Sequence, residues 1–405
     1  MKDFVVSVTV GNEEDLKLLQ PVSEFKNIEE EVVGIPRSIV PAFTPTRKTM
    51  NQFFTNTEVP YWTEGVEEYF IPEKHQKELE SNTLVVDTTP ITKDSFKKRY
   101  HHLLWTEEFY IKKTFKQYDI HEVTIDKVSV VTEKNGRPIV LNKLEVLGLS
   151  EKRPTIYLRD IIYAWIPGNT DNIEYEGIVY KVEQKYITVV FCEDFNDRIK
   201  EGTKFNIRFS FSRMGHRHMH RAIDNADFNL IWPEELKDSV RKGPPVDLRS
   251  LQFFDKDLNA DQKQFILQIL NNSNGNVPFL LFGPFGTGKT RTLSELVRQL
   301  VKIQNGKVLV CCKSNTSADL FVEKLKLLIT NKDMFRLNPF NRNLKAVTDS
   351  ILPYTLYRED KGIFDIPTLD TLKNFKVIVT TCVASAILNG SGIGNNHFTH
   401  IVIGN

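Results

Sequence analysis

Eight residues, Gly283-Pro284-Phe285-Gly286-Thr287-Gly288-Lys289-Thr290, constrain this chain more than any other feature. They satisfy G-x-x-x-x-G-K-[ST], a pattern that chance places in roughly one chain in a hundred of this length at ordinary glycine usage. An apolar run from Val277 to Phe282 precedes them and predicts a buried strand, and the residues from about Thr290 to Ile303 predict a helix. Strand, glycine loop and helix in that order aim backbone N–H groups and the positive end of a helix dipole at one point, where phosphate is held. The glycines permit the tight turn. Lys289 brings charge to the β and γ phosphates, and Thr290 brings a hydroxyl to Mg²⁺. The bland alternative is a structural turn.

Around this motif the pattern alternates between strand and helix. Asp261 to Leu270 reads as helix, Lys307 to Cys312 as a second strand, Thr316 to Leu328 as a second helix, Lys376 to Thr381 as a third strand and Phe398 to Ile403 as a fourth. This is the grammar of a parallel sheet with ligand loops at the carboxyl ends of its strands. Upstream the grammar changes. Between Val123 and Phe211, short segments rich in Val, Ile, Tyr and Phe recur between turn formers such as Asn135-Gly136 and Pro167-Gly168-Asn169. They predict a small antiparallel barrel or sandwich. Tyr100 to Gln117 predicts an amphipathic packing helix, Val5 to Val10 a strand, and Ile35 to Arg47 an extended linker.

Composition excludes more than it assigns. With 405 residues the chain has room for two to four domains, and Lys+Arg 53 against Asp+Glu 52 excludes a polycation or an acidic tail. Any nucleic-acid surface is then a local patch. The cysteines Cys192, Cys311, Cys312 and Cys382 form no C-x-x-C pair, which argues against a zinc module or disulfide framework and for a reducing compartment. No apolar run approaches the length of a membrane span, and MKDFVVSVTVGNEED lacks the basic flank of a signal peptide. The expectation is a soluble intracellular protein with no membrane contact.

Hydrolysis at the phosphate loop needs carboxylates, supplied by an apolar strand that ends in Asp. The strand Phe398 to Ile403 is the one to carry them, but Gly404-Asn405 follows. Neither residue supplies a carboxylate pair, so no catalytic residue is assigned.

At this point the sequence resembles superfamily 1 RNA helicases, and among them the Armitage-type silencing helicases. Leu258-Asn259-Ala260-Asp261-Gln262 is similar to their Q motif, which implies that Gln262 reads adenine. Gly283 to Thr290 resembles motif I, Cys312-Lys313-Ser314-Asn315-Thr316-Ser317-Ala318-Asp319 motif Ia, and Val377 to Cys382 the motif after it. His397 to Ile403 looks like the approach to motif II, and Gly404 is the departure from it. Tyr100 to Tyr118, Glu151 to Pro154, Tyr175 to Phe191, and Phe211 to Arg217 with His220-Arg221-Ala222 are similar to the region before the motor, so the resemblance covers about Tyr69 to Ile403.

The resemblance implies an α/β P-loop (RecA-like) domain, incomplete at its C-terminus, preceded by a small antiparallel β-barrel and a mixed N-terminal region. The expected division is 1–98, N-terminal region with linker; 99–225, helix plus barrel; 226–257, linker; and 258–405, partial first RecA-like domain. It further implies ATP and Mg²⁺ as cofactors, with ATP on Gln262 and Gly283 to Thr290, and Mg²⁺ on Thr290. Single-stranded RNA is expected on Ser314, Asn315, Thr316, Thr380 and Thr381, with RNA-silencing proteins as partners and a cytoplasmic location, including ribonucleoprotein granules. The complete protein would be an ATP-driven 5′-to-3′ RNA translocase. This chain reads as a shortened product, a truncated helicase unable to hydrolyse ATP. The alternatives are a non-catalytic RNA- or partner-binding isoform and a DNA-directed superfamily 1 helicase; an unrelated nucleotide kinase fits the Q-motif residues less well.

Two readings stay bland. His216, His218 and His220 in GHRHMHR lack a nearby carboxylate or cysteine to complete a metal set, so a surface segment or a basic RNA-facing turn is expected there. Ser314, Asn315 and Thr316 are also ordinary residues for capping a helix.

Overall fold

The computed structural model describes residues 3–9, 46–48, 66–231 and 246–404, apart from 85–88, 133–137, 147–155, 157–159, 169–172, 184, 199, 201, 212, 248, 250, 272–276, 285, 341, 360–361 and 395. The chain divides into two compact units, one of residues 23–60 and 65–223, the other of 1–22, 61–64 and 224–405. The region 1–98, expected as one segment, is therefore shared between units, and most of the expected linker Ile35 to Arg47 lies outside the described residues.

Two strands come first in the chain, β1 (Asp3–Thr9) and β2 (Thr46–Lys48). In the unit containing 65–223, β2 adds to a barrel of β3 (Ile120–Thr132), β4 (Pro138–Glu145), β5 (Ile161–Trp165), β6 (Ile173–Val182), β7 (Tyr186–Phe191) and β8 (Lys204–Phe209). The antiparallel order β6-β5-β8-β3-β4-β7 closes through β6–β7 pairing. Closure satisfies the backbone groups that an open sheet leaves at its edges. Alternation does the rest: Ile187, Val189 and Phe191 of β7 meet Ile162 and Ala164 of β5 in one core. Gly177 is required by packing, since a Cβ there would lie 2.4 Å from Phe191 Cε1.

A long helix, Lys93–Lys116, begins before the expected Tyr100 because Thr92 and Ser95 form a reciprocal capping box. Its Glu108 is fully buried and receives Arg213 Nε at 2.6 Å and Nη2 at 3.2 Å. Arg213 Nη2 also donates to the Glu68 and Tyr69 carbonyls, and Arg217 Nε to the Glu67 carbonyl. These arginines tie the segment around Glu68 down. The histidine segment is a helix, Met214–Asp224, and His216, His218 and His220 are all buried, which corrects the surface and RNA-facing readings. His220 clusters with Tyr69 and His101, ring centroids 4.9 and 5.0 Å away and Tyr69 itself 6.0 Å from His101, with the two Nδ1 atoms of His101 and His220 at 2.7 Å. Among the described residues no group of three or more His, Cys, Asp or Glu is placed to hold a metal ion.

The other unit is a parallel sheet of β1, β9 (Phe279–Gly283), β10 (Val308–Cys312), β11 (Met334–Arg336), β14 (Val377–Thr381) and β15 (His400–Gly404), with a separate hairpin, β12 (Tyr357–Arg358) and β13 (Ile363–Phe364). The order is β11-β14-β10-β15-β1-β9. Both faces of the middle strands are covered. Val308, Val310, Val377 and Val379 meet the helices Lys289–Gln304 and Asn315–Leu325, while Leu309, Cys311 and Ile378 meet Leu372, Ile387 and Phe398 on the opposite face.

Three differences from the sequence reading have physical causes. The strand expected at Val5 to Val10 exists, and it runs parallel between β15 and β9, pairing Val5 with Val402 and Phe279. That insertion leaves β9 at the sheet edge, so the expected buried strand has Leu280 64% and Phe282 65% exposed. The stretch expected as linker, 226–257, contains a short helix, Phe228–Ile231, and the buried Leu251. Among the described residues no helix is long and apolar enough to cross a membrane.

Two outcomes follow for the barrel unit. Gly177→Val should destabilise it by about 1–3 kcal/mol through overpacking against Phe191, read as a lower urea midpoint at unchanged slope. Burial, joined by His101 for His220 and by Arg221 and Arg217 for His218, pushes both rings down to about 4 from 6.5. Between those pH values the unfolded chain binds more protons than the folded one. Stability is therefore full above about pH 6.5 and falls as pH drops toward 4, by on the order of 2–3 kcal/mol per ring. Urea midpoints across that range test it, and a flat profile would contradict the burial of both rings.

Candidate nucleotide-binding site

The glycine loop joins β9 to the helix Lys289–Gln304 in the expected place. Gly286 and Gly288 have φ of 80° and 84°, a left-handed backbone that side chains other than glycine rarely adopt. Gly283 allows close approach, since a Cβ would lie 2.6 Å from Thr287 Oγ1. The Lys289 ammonium donates to the carbonyls of Gly283 at 2.6 Å and Pro284 at 2.7 Å, and Thr287 Oγ1 donates to the Pro284 carbonyl at 2.8 Å. Thr290 sits half-buried in the first helical turn, and Phe285 lies outside the described residues. A cation at the mouth of a loop with exposed amides and a helix N-terminus fits a bound triphosphate.

Gln262 is brought to the same place. The helix Ala260–Leu270 starts with a capping box in which Asn259 Oδ1 accepts from Gln262 N at 2.9 Å and Gln262 Oε1 accepts from Asn259 N at 3.0 Å. Gln262 Nε2 then donates to the Thr287 carbonyl at 3.1 Å. The preceding loop is clamped to the phosphate-loop helix. Glu295, with no exposure, accepts from Phe254 N at 3.0 Å and Asp255 N at 3.2 Å, and Arg291 pairs with Asp255 and Asp257. Hydrogen bonds from Arg291 hold the Asp255 carboxyl below its ordinary range. Neither Glu295 nor Arg291 stands out in the sequence; the only signal is a charged residue on the apolar stripe of a helix.

The strand-end loops lie at the carboxyl edge of β10 and β14. Ser314 Oγ caps the helix Asn315–Leu325, accepting from Ser317 N at 3.1 Å, and Thr316 is exposed. Thr380 is fully buried and its hydroxyl donates to the Leu337 carbonyl at 3.1 Å, while Thr381 Oγ1 accepts from Ala384 N at 3.2 Å. The Thr380 hydroxyl proton is thus used inside the protein, whereas Thr381 Oγ1 serves there only as an acceptor. Arg336, which sequence reasoning missed, is fully buried and holds this region together. It donates to Asp319 Oδ1 at 2.9 Å, Asn315 Oδ1 at 3.0 Å and the Leu337 carbonyl at 2.6 Å, and Arg342 binds both oxygens of Asp319. Burial draws the Arg336 guanidinium down to about 10.

At the end of β15, where a carboxylate would complete the site, Gly404 is buried, and a Cβ there would lie 2.6 Å from Phe321 Cε2. Asn405 lies outside the described residues.

Loop, helix and sheet define a P-loop nucleotide-binding domain, in a chain that also carries a closed β-barrel. Residues 118–209 match the family described as Helicase MOV-10, beta-barrel domain, and residues 257–357 match the AAA domain family. The chain is 28% identical to "Putative helicase mov-10-B.1" of Danio rerio, over 81% of the chain and 32% of that protein. It is 25% identical to "RNA helicase Mov10l1" of Homo sapiens, over 83% of the chain and 32% of that protein. Against "Probable RNA helicase armi" of Drosophila melanogaster it is 27% identical, over 78% of the chain and 28% of that protein. The chain is similar to helicases of the Armitage and MOV-10 type, and it spans about a third of the length of these curated relatives.

Asp319→Ala leaves Arg336 and Arg342 without their shared carboxylate inside the fold. It should cost about 3–5 kcal/mol, seen as a lower denaturation midpoint of the unit containing 224–405.

Proposed function

We propose that the chain binds ATP with Mg²⁺ at Gly283 to Thr290 and single-stranded RNA along the loops Ser314 to Thr316 and Thr380 to Thr381, as the gripping part of a 5′-to-3′ RNA helicase. The observation that carries the reading is the hydrogen bond from Gln262 to Thr287. A structural turn has no need of a glutamine docked on it, whereas a nucleotide lying over the loop meets that amide where its base would fall.

The chain's own residues define the binding step. Lys289 exchanges the Gly283 and Pro284 carbonyls for phosphate oxygens, and the amides of the loop and first turn accept the remaining charge. Mg²⁺, held in part by Thr290, would neutralise the β and γ phosphates when bound. Gln262 spends one N–H on Thr287 and one carbonyl lone pair on Asn259, which leaves the second N–H and the second lone pair to meet an adenine edge. At the end of β15, Gly404 itself offers no carboxylate to orient water. RNA contact at β14 falls to backbone groups and the Thr381 hydroxyl proton, because Thr380 donates its own to Leu337 while Thr381 Oγ1 only accepts. RNA-silencing partners and a cytoplasmic location, including ribonucleoprotein granules, belong to the same reading and rest on the resemblance.

Titration with a fluorescent ATP analogue tests it. Lys289→Ala should weaken binding by about tenfold or more, roughly 1.4 kcal/mol or above. Oligouridine should displace labelled RNA better than oligothymidine; equal competition would remove the RNA assignment. RNA-stimulated hydrolysis abolished by Lys289→Ala would show that Gly404 does not prevent turnover.

A further inference from the structure

The side chains assigned to RNA carry little of what a polyanion needs. The Ser314 hydroxyl accepts from Ser317 N and donates to Ser317 Oγ at 3.0 Å, so its proton is spent within the cap. Asn315 turns its Oδ1 to the Arg336 guanidinium at 3.0 Å. Thr380 gives its proton to Leu337, which leaves the exposed Thr316 and the Thr381 hydroxyl proton. None of these groups is charged, whereas every nucleotide of RNA carries a charged phosphate, and the salt-dependent part of affinity comes from cations. A cation stands beside them. Lys313 follows Cys312, the last residue of β10, and precedes the capping Ser314. Cys312 is paired with Thr381 of β14 and accepts from Cys382 N at 2.8 Å, so Lys313 leaves the sheet where the two assigned loops adjoin. Its side chain is exposed, and among the described residues its ammonium has no ion-pair or hydrogen-bond partner.

We propose that Lys313 is a phosphate-binding residue of the RNA site: its ammonium pairs with one backbone phosphate beside the Thr381 hydroxyl, while Arg336 holds the turn from inside through Asn315 and Asp319. The assignment rests on the reading of the strand-end loops as the RNA site and adds the charged contact that their other residues lack. The charges nearby in the fold do not compete for it. Asp319, the first carboxylate of the following helix, gives its oxygens to Arg336 and Arg342. Those two arginines are themselves buried, which leaves Lys313 as the cation this turn presents to solvent. An ammonium on a flexible stem is a point charge without the fixed fork that reads a base edge, so the contact is to the backbone and indifferent to sequence. Lys332 provides the comparison: it is exposed in the turn before β11, at the amino edge of the sheet and opposite these loops.

Fluorescence anisotropy of labelled oligouridine on the full chain, repeated over a series of salt concentrations, tests this. Lys313→Gln should reduce the slope of log affinity against log salt by about 0.7, the share of one phosphate contact on a single strand. It should weaken oligouridine and oligoadenosine by the same factor, as loss of a backbone contact does. Lys313→Arg should keep the slope of the unaltered chain, and so should Lys332→Gln. Each variant should keep a cooperative thermal transition, since the side chain replaced is exposed. Three outcomes would overturn the assignment alone: a slope unaltered by Lys313→Gln, an equal fall in slope for Lys332→Gln, or a loss confined to one of the two oligonucleotides, which would make Lys313 a base contact. Failure of the unaltered chain to bind either oligonucleotide would remove the RNA reading itself, and this assignment with it.

Discussion

A carboxylate with no water around it sets the geometry of the nucleotide site. Glu295 sits on the buried stripe of the phosphate-loop helix among Leu293, Leu296 and Val297, where an unsatisfied charge would cost several kcal/mol. Its oxygens are satisfied by the amides of Phe254 and Asp255 and the side chain of Gln299. The loop before Asn259 is therefore fixed wherever the helix goes. Asn259 caps the next helix, and the capping partner Gln262 reaches the Thr287 carbonyl. The phosphate loop is held from outside by a chain of hydrogen bonds that begins at one buried charge.

The same device recurs with the sign reversed. Arg336, buried at the carboxyl end of β11, joins Asn315, Asp319 and Leu337, and Leu337 in turn accepts from Thr380. In the barrel unit the buried Glu108 gathers Arg213, which binds the carbonyls of Glu68 and Tyr69. In all three cases apolar packing sets the layers, and a buried ion fixes an irregular segment that packing alone would leave free. Non-directional burial cannot choose among loop conformations of similar area, whereas a carboxylate with two lone-pair directions can.

Local pattern carried much of this fold. The glycine motif, the continuous buried runs of β10 and β14 and the short strands of the barrel are all legible within a few consecutive residues. What escaped is non-local. Nothing in Val5 to Val10 indicates that its partners are Val402 and Phe279, hundreds of residues away, and that pairing decides which strand is the edge. His216, His218 and His220 looked exposed because polarity was read without knowing that Tyr69 and His101 would stack around His220. Thr380 and Thr381 were legible as strand-end residues, but the acceptor that occupies the Thr380 hydroxyl, Leu337, comes from another strand end.

The two ends of the phosphate-loop helix are joined by more than the helix. Arg298 lines an open cleft beyond the far end, with Phe254, Lys302 and Leu328, and its guanidinium pairs at 3.6 Å with Glu295 in the middle. Phe254 belongs to the cleft through its ring and to Glu295 through its amide. From there Asn259 and Gln262 lead to Thr287. A network with one arrangement transmits nothing; coupling requires a second state. Gln262 supplies one only if a bound nucleotide draws its amide away from Thr287 or Asn259. If that release loosens the loop around Phe254, nucleotide binding reaches the far end of the helix, and anything that fixes Phe254 there must alter nucleotide affinity by the same factor, since linkage is reciprocal. If the Glu295 clamp keeps Phe254 and Asp255 fixed while Gln262 turns, the two ends of the helix are independent. Two amide hydrogen bonds to one buried carboxylate decide between these cases.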